Sequence, residues 1–153
     1  MEEQVAVRNL SEFEDAAGRF AASLHGSQER ATLITLSGEL GAGKTAFVQA
    51  VARSMGITEA VTSPTFVIEK TYAIPSDRAQ EFSSLVHIDA YRLTEGKELS
   101  ALGFEKTLAT PHTLILIEWP EKVADILPPA SATISFTPNA QGERICTIHT
   151  PAA

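Results

Sequence analysis

The 153 residues contain a single cysteine, and that shortage closes off a class of protein. A lone Cys146 excludes an internal disulfide and any thiolate metal cage, so a reduced, cytoplasmic location is the default expectation. No apolar run approaches the roughly 18 residues a membrane span requires, and the acidic pair Glu2-Glu3 speaks against a secretory leader. Positive charge is also scarce, with 12 Lys and Arg against 19 Asp and Glu, a formal charge of -7 and a pI near 5.0. A chain that grips a nucleic-acid backbone alone presents a basic face, so independent RNA binding is disfavoured. The four histidines, at 25, 87, 112 and 149, lack metal-ligand spacing and read as structural or exposed. Repeats and low-complexity segments are absent.

At 44% apolar content, the chain suits one compact domain over residues 1–153. Its most informative segment is Gly38-Glu39-Leu40-Gly41-Ala42-Gly43-Lys44-Thr45, which satisfies G-x-x-x-x-G-K-[ST] at every fixed position. The apolar, partly β-branched run Ala31–Leu36 precedes it and predicts a buried strand. Phe47, Val48, Val51 and Met55 follow at helical spacing, with Gly56 as the stop. Glycines at 38, 41 and 43 permit positive φ, so backbone N–H groups and a helix N-terminus can converge on phosphate oxygens. Lys44 then reaches the β- and γ-phosphates, and the Thr45 hydroxyl ligates magnesium.

Elsewhere, Ser11-Glu12-Phe13-Glu14 reads as a capping box for an amphipathic helix with Phe13, Ala17, Phe20, Ala21 and Leu24 on its apolar stripe. Thr65–Tyr72 and Leu85–Arg92 alternate as two strands around the exposed hairpin loop Pro75–Glu81. Thr94 is placed as the cap of a short helix ending near Gly103, and Glu121–Leu127 as another short helix. Thr113–Glu118 is the most continuously apolar stretch and predicts a buried parallel strand. Ala132–Phe136 and Arg144–Ile148 are expected to pair around Asn139–Gly142. The fold class is therefore α/β, a single-domain P-loop NTPase with a central mixed, mainly parallel sheet flanked by helices.

Glu118 closes its strand at the carboxyl end, where open α/β sheets bind ligands, and is the natural acidic partner of Thr45 across magnesium. Trp119 either flanks a nucleotide or packs at the sheet edge. Asp89, between His87 and Tyr91, suits the ordering of a water, although pattern alone favours the polar side of a half-exposed strand. Ser63-Pro64-Thr65-Phe66 is either a switch that senses a γ-phosphate or a plain Pro-cornered turn.

In order, the octapeptide, Ser63-Pro64-Thr65-Phe66, His87-Ile88-Asp89-Ala90-Tyr91-Arg92-Leu93 and Ile117-Glu118-Trp119-Pro120 resemble the TsaE (YjeE) family over about residues 10 to 130. The resemblance implies the ATPase component of tRNA threonylcarbamoyladenosine biosynthesis, modifying position 37 with the TsaB-TsaD complex, which touches tRNA in its place. It implies ATP and Mg2+ as cofactors, with Lys44, Asp89 and Glu118 catalytic and Thr45 and Glu118 on the metal. It implies nucleotide contacts from Gly38, Glu39, Leu40, Gly41, Ala42, Gly43, Lys44, Thr45, Ala46, Thr65 and Trp119, with Leu10 and Ser11 lining the adenine pocket. Ala46 departs from the family, where a second Thr is common. The loop from Ala73 to Ser84 is long for it. Two other functions stay open on the residues. A small-molecule kinase needs an Arg-bearing lid, for which only Arg78 is placed, and a non-catalytic nucleotide-dependent module would dock through Ser63–Phe66.

Overall fold

In the segment Thr113–Glu118 every side chain is buried, and the rest of the architecture is arranged around it. The computed structural model describes residues 1–39, 41–62, 67–75 and 81–151. Among them, β1 (Glu2–Val7), β2 (Thr32–Gly38), β3 (Glu69–Ala73), β4 (Ser84–Asp89), β5 (Thr113–Glu118), β6 (Ala132–Pro138) and β7 (Arg144–His149) form one sheet in the order β1-β7-β6-β2-β5-β4-β3. The sheet is mixed, with parallel pairing confined to the four central strands β6-β2-β5-β4 and antiparallel pairing at both edges. Strands β2 and β5 are central because their apolar runs need cover on both faces.

Helices α1 (Leu10–Ser23) and α2 (Lys44–Ser54) cover one face. Phe13, Phe20, Phe47 and Val51 pack there against Ile34, Leu36, Leu116, Ile134 and Phe136. The short helices α3 (Gly96–Ser100) and α4 (Phe104–Leu108) and the 3₁₀ turn Pro120–Val123 cover the other. Here Leu99, Phe104 and Val123 bury Leu33, Val86, Ile88, Ile115 and Ile117. No helix among the described residues is long and apolar enough to cross a membrane.

Several boundaries move from their expected places. The cap of α1 is Asn9, whose Oδ1 accepts from the Glu12 N–H at 2.9 Å, while the Glu12 carboxylate accepts from the Arg8 N–H. The cap therefore lies two residues before Ser11, because Asn9 has the extended backbone a cap needs. The helix expected over Glu121–Leu127 is only the 3₁₀ turn Pro120–Val123, and α4 and β1 were not expected. Strand β1 escapes notice because its first half is exposed edge, Glu-rich, and held by pairing to β7 more than by burial. Strand β4 stops at Asp89, since the Asp89 carboxylate accepts from the Tyr91 N–H and turns the chain. Gly56 ends α2 at φ 87, as its position predicted. The segment Ser63–Phe66 and residues 76–80, including Arg78, lie outside the described residues.

Candidate functional site

The chain leaves β2 through Gly38 at φ +144, where a Cβ would sit 2.9 Å from the Phe136 carbonyl oxygen. Only glycine fits that close approach. Gly43 then takes φ +112 as the cap of α2, where a Cβ would press on Phe13 and Arg144, so the turn into the helix stays tight. The loop presents the first turn of α2 with Lys44 and Thr45 facing inward.

Lys44 is 4% exposed. Its Nζ donates to the Gly38 carbonyl at 2.5 Å and the Glu39 carbonyl at 2.9 Å, and lies 4.1 Å from the centre of the Trp119 ring. Burial pushes its pKa below the ordinary lysine range, opposed by the carboxylates of Glu118, Glu121 and Asp89. Thr45 Oγ1 donates to Glu118 at 3.0 Å and 2.9 Å from its two oxygens. Glu118 and Asp89 are register partners at the carboxyl ends of β5 and β4, and both are buried. Trp119 adopts φ 58 and ψ 51, a left-handed conformation costly for a bulky residue, and lies 5.0 Å from the ring of Tyr91. Strained backbone thus places the one tryptophan over the loop lysine, lining the site.

These side chains, with Gly41, Gly43, Ala46 and Arg144, bound a cavity of about 380 Å³. Ala46 and Arg144 also line an adjoining groove of about 550 Å³ between the start of α1 and the β6–β7 turn. Leu10 lines that groove, whereas Ser11 is exposed and does not. Glu39 contributes its carbonyl, Ala42 bonds back to Glu39 within the loop, and Leu40 and Thr65 lie outside the described residues. A larger hollow of about 780 Å³ beside Gln49, Arg53 and Val61 is built without the phosphate loop.

Two expectations are corrected. Of the two readings for His87, structural or exposed, exposed is wrong: it is fully buried, with Nε2 2.6 Å from Glu118 Oε2. A carboxylate only accepts, so the His87 proton is on Nε2, and Nδ1 is left without a partner among the described residues. Nor is β4 a half-exposed strand, because both of its faces are covered and its polar side, His87 and Asp89, points into the site. The only signal in the sequence was the i, i+2 spacing of His87 and Asp89, which reads equally as a wet antiparallel face. Replacing His87 by Leu is expected to destabilise the fold by about 2 kcal/mol, since a buried carboxylate loses a donor. A double-mutant cycle of His87→Leu with Glu118→Leu is expected to show coupling of about 1.5 kcal/mol or more in urea unfolding, and coupling near zero would make the contact idle.

Nothing among the described residues groups three His, Cys, Asp or Glu side chains as a metal cage. The donor set still fits magnesium, which is usually held by one or two protein oxygens, waters and substrate phosphates. Thr45 and Glu118 would hold it, and their mutual hydrogen bond keeps both oxygens at one point.

A mixed α/β sheet, a glycine loop opening α2 and a buried carboxylate at the end of the neighbouring strand define a protein of the P-loop NTPase fold. The family model described as "Threonylcarbamoyl adenosine biosynthesis protein TsaE" matches residues 8–146. The chain is 35% identical over 120 residues to the tRNA threonylcarbamoyladenosine biosynthesis protein TsaE of Treponema pallidum, covering 78% of this chain and 83% of that protein. It is 33% identical to the protein of the same name from Rickettsia conorii, over 90% of this chain and 74% of that one. The crystal structure of Bacillus subtilis YdiB superposes with a TM-score of 0.77 at 26% identity, covering 99% of this chain and 87% of that one. The chain belongs to the TsaE family of tRNA threonylcarbamoyladenosine biosynthesis.

Proposed function

We propose that this chain binds and hydrolyses ATP for the threonylcarbamoyladenosine modification of tRNA at position 37, acting with a TsaB-TsaD complex. The observation that carries the reading is the Thr45 hydroxyl held against both oxygens of buried Glu118, directly after the loop lysine. Magnesium, when bound with ATP, neutralises charge on the β- and γ-phosphates. The amides of the loop and the N-terminus of α2 hold phosphate oxygens, and Lys44 exchanges its two carbonyl acceptors for them. Thr45 and Glu118 would hold that ion, with the Thr45 proton kept on Glu118. Asp89, beside Glu118 in register, orders water on the open side.

Two features support a dependence on partners. Among the described residues the cavity is open, and the chain carries net charge -7, which suits docking on a protein complex better than gripping tRNA. Turnover by the isolated chain is expected to be slow and to rise when TsaB and TsaD are added, measured as phosphate release beside tRNA modification. Full turnover alone, unchanged by them, or phosphorylation of a metabolite in place of water would overturn the proposal. Glu118→Gln separates the hydrolytic role from a nucleotide-dependent docking module: turnover is expected to fall about a hundredfold with ATP still bound. Modification that survives that loss would favour docking.

A further inference from the structure

Two buried side-chain atoms lack a hydrogen-bond partner among the described residues: Nδ1 of His87 and the hydroxyl of Tyr72. They are close in the sheet. Tyr72 on β3 is the register partner of Leu85 on β4, and His87 follows Leu85 by two residues, so both rings stand on one face as diagonal cross-strand neighbours. Aromatic side chains reach across that spacing. Tyr72 and Leu85 belong to the core under α1 and α2, which places both orphaned atoms on the side of the sheet that carries Thr45. Lys70, directly opposite His87, is exposed and donates to Thr62 at 3.0 Å, so it does not serve the imidazole.

The two atoms are chemically complementary. With the His87 proton on Nε2, Nδ1 is an acceptor, whereas a phenol hydroxyl donates. Buried polar atoms are seldom left unpaired, and one water between these two satisfies both. On its other side the imidazole donates to Glu118 Oε2 at 2.6 Å, while Oε1 receives only the Thr45 hydroxyl among the described residues. Neither Tyr72 nor His87 lines the phosphate cavity. Any effect they have on a ligand there passes through Glu118.

We infer that Tyr72 and His87 are positioning residues for magnesium. The Tyr72 hydroxyl donates through one water to Nδ1, this holds the imidazole proton on Nε2, and Nε2 pins Oε2 of Glu118 so that Oε1 is turned to the ion beside Thr45. The inference rests on the reading of the site as one for ATP with magnesium. A donor behind a ligating carboxylate sets its orientation before the ion arrives, and losing such a donor typically costs about 10–100-fold in metal affinity.

The test is calorimetric titration of the full chain with the β,γ-imido analogue of ATP, once in saturating Mg2+ and once in EDTA, with thermal melts of each free protein. The ratio of the two affinities is the gain from magnesium. His87→Leu is expected to lower that gain about tenfold and to leave affinity in EDTA unchanged, because only the ion's share of binding passes through Glu118. His87→Gln, whose amide N–H reaches about as far as Nε2, is expected to recover most of the gain even where it melts below wild type. Tyr72→Phe, which deletes one hydroxyl and no apolar volume, is expected to lower the gain about threefold and to melt like wild type. Long-range 1H–15N spectra of the histidine rings, with His87 assigned by its loss in His87→Gln, are expected to show Nε2 protonated and Nδ1 bare.

An unchanged magnesium gain in His87→Leu overturns the inference, as does an equal loss with and without magnesium or a Gln variant no better than Leu. If His87→Leu is too unstable to titrate, Tyr72→Phe decides, and an unchanged gain there overturns the relay. So does a proton found on Nδ1. Failure of wild type to bind the analogue in either condition would instead remove the nucleotide reading, and the relay with it.

Discussion

Replacing Lys44 by Met is expected to lower kcat/KM for ATP about a thousandfold, equivalent to roughly 4 kcal/mol, while leaving the melting temperature of the free protein unchanged or higher. The two halves of that expectation share one cause. Lys44 is 4% exposed, and burial holds its pKa below the ordinary lysine range, so the folded chain keeps this charge at a desolvation cost. Its present acceptors, the Gly38 and Glu39 carbonyls, are neutral and return only part of that cost. A phosphate chain returns far more, which is how a locally unfavourable charge becomes binding energy. Methionine keeps an apolar stem of similar reach and removes the charge that lies over Trp119. Thermal melting of both proteins with and without ATP checks the expectation. A large fall in stability of the free variant would show that Lys44 braces the loop, and unchanged kinetics would remove it from the site.

Phe47→Ala is expected to be the most destabilising single truncation behind the loop, costing about 3–5 kcal/mol. Its ring is 1% exposed and lies 5.8 Å from Phe13, 5.8 Å from Phe20 and 5.6 Å from Phe136. The truncation therefore opens a void where α1, α2 and β6 meet, lined by two rings of α1 and one of β6 that cannot close over it together. Against a typical total of about 5–15 kcal/mol this is a large share, and it corresponds to roughly 6–20 °C in melting temperature. Urea unfolding measures it directly. A cost near 1 kcal/mol would mean that the four rings repack freely. Phe47→Leu is expected to cost much less, because most of the volume remains.

Much of the scaffold of the site was legible because its causes are local. Glycines at fixed spacing, a β-branched run before them and a helical stripe after them are enough to write strand, loop and helix, and Gly38, Gly43 and Gly56 take the positive φ expected of them. Thr113–Glu118 was legible for a similar reason: a run apolar on both faces admits only a central strand. The register of the first cap was less so, since Asn9 and Ser11 both have the chemistry and only backbone geometry chooses Asn9. Cys146, whose thiol burial pushes up to about 12, has no second cysteine in the chain to pair with.

The sequence by itself determined the phosphate loop, the strand that feeds it and the lysine and threonine that follow, because adjacent residues carry that geometry. The pairing of Glu118 with Thr45 was also expected from sequence, but only the tertiary structure decided that His87 grips Glu118, that Trp119 lies over Lys44 and that Arg144 reaches Gly41. Those contacts join residues 31 to 103 positions apart, or depend on a strained turn. Strand order sets them, and strand order follows from which faces can be buried together, a property no short segment contains.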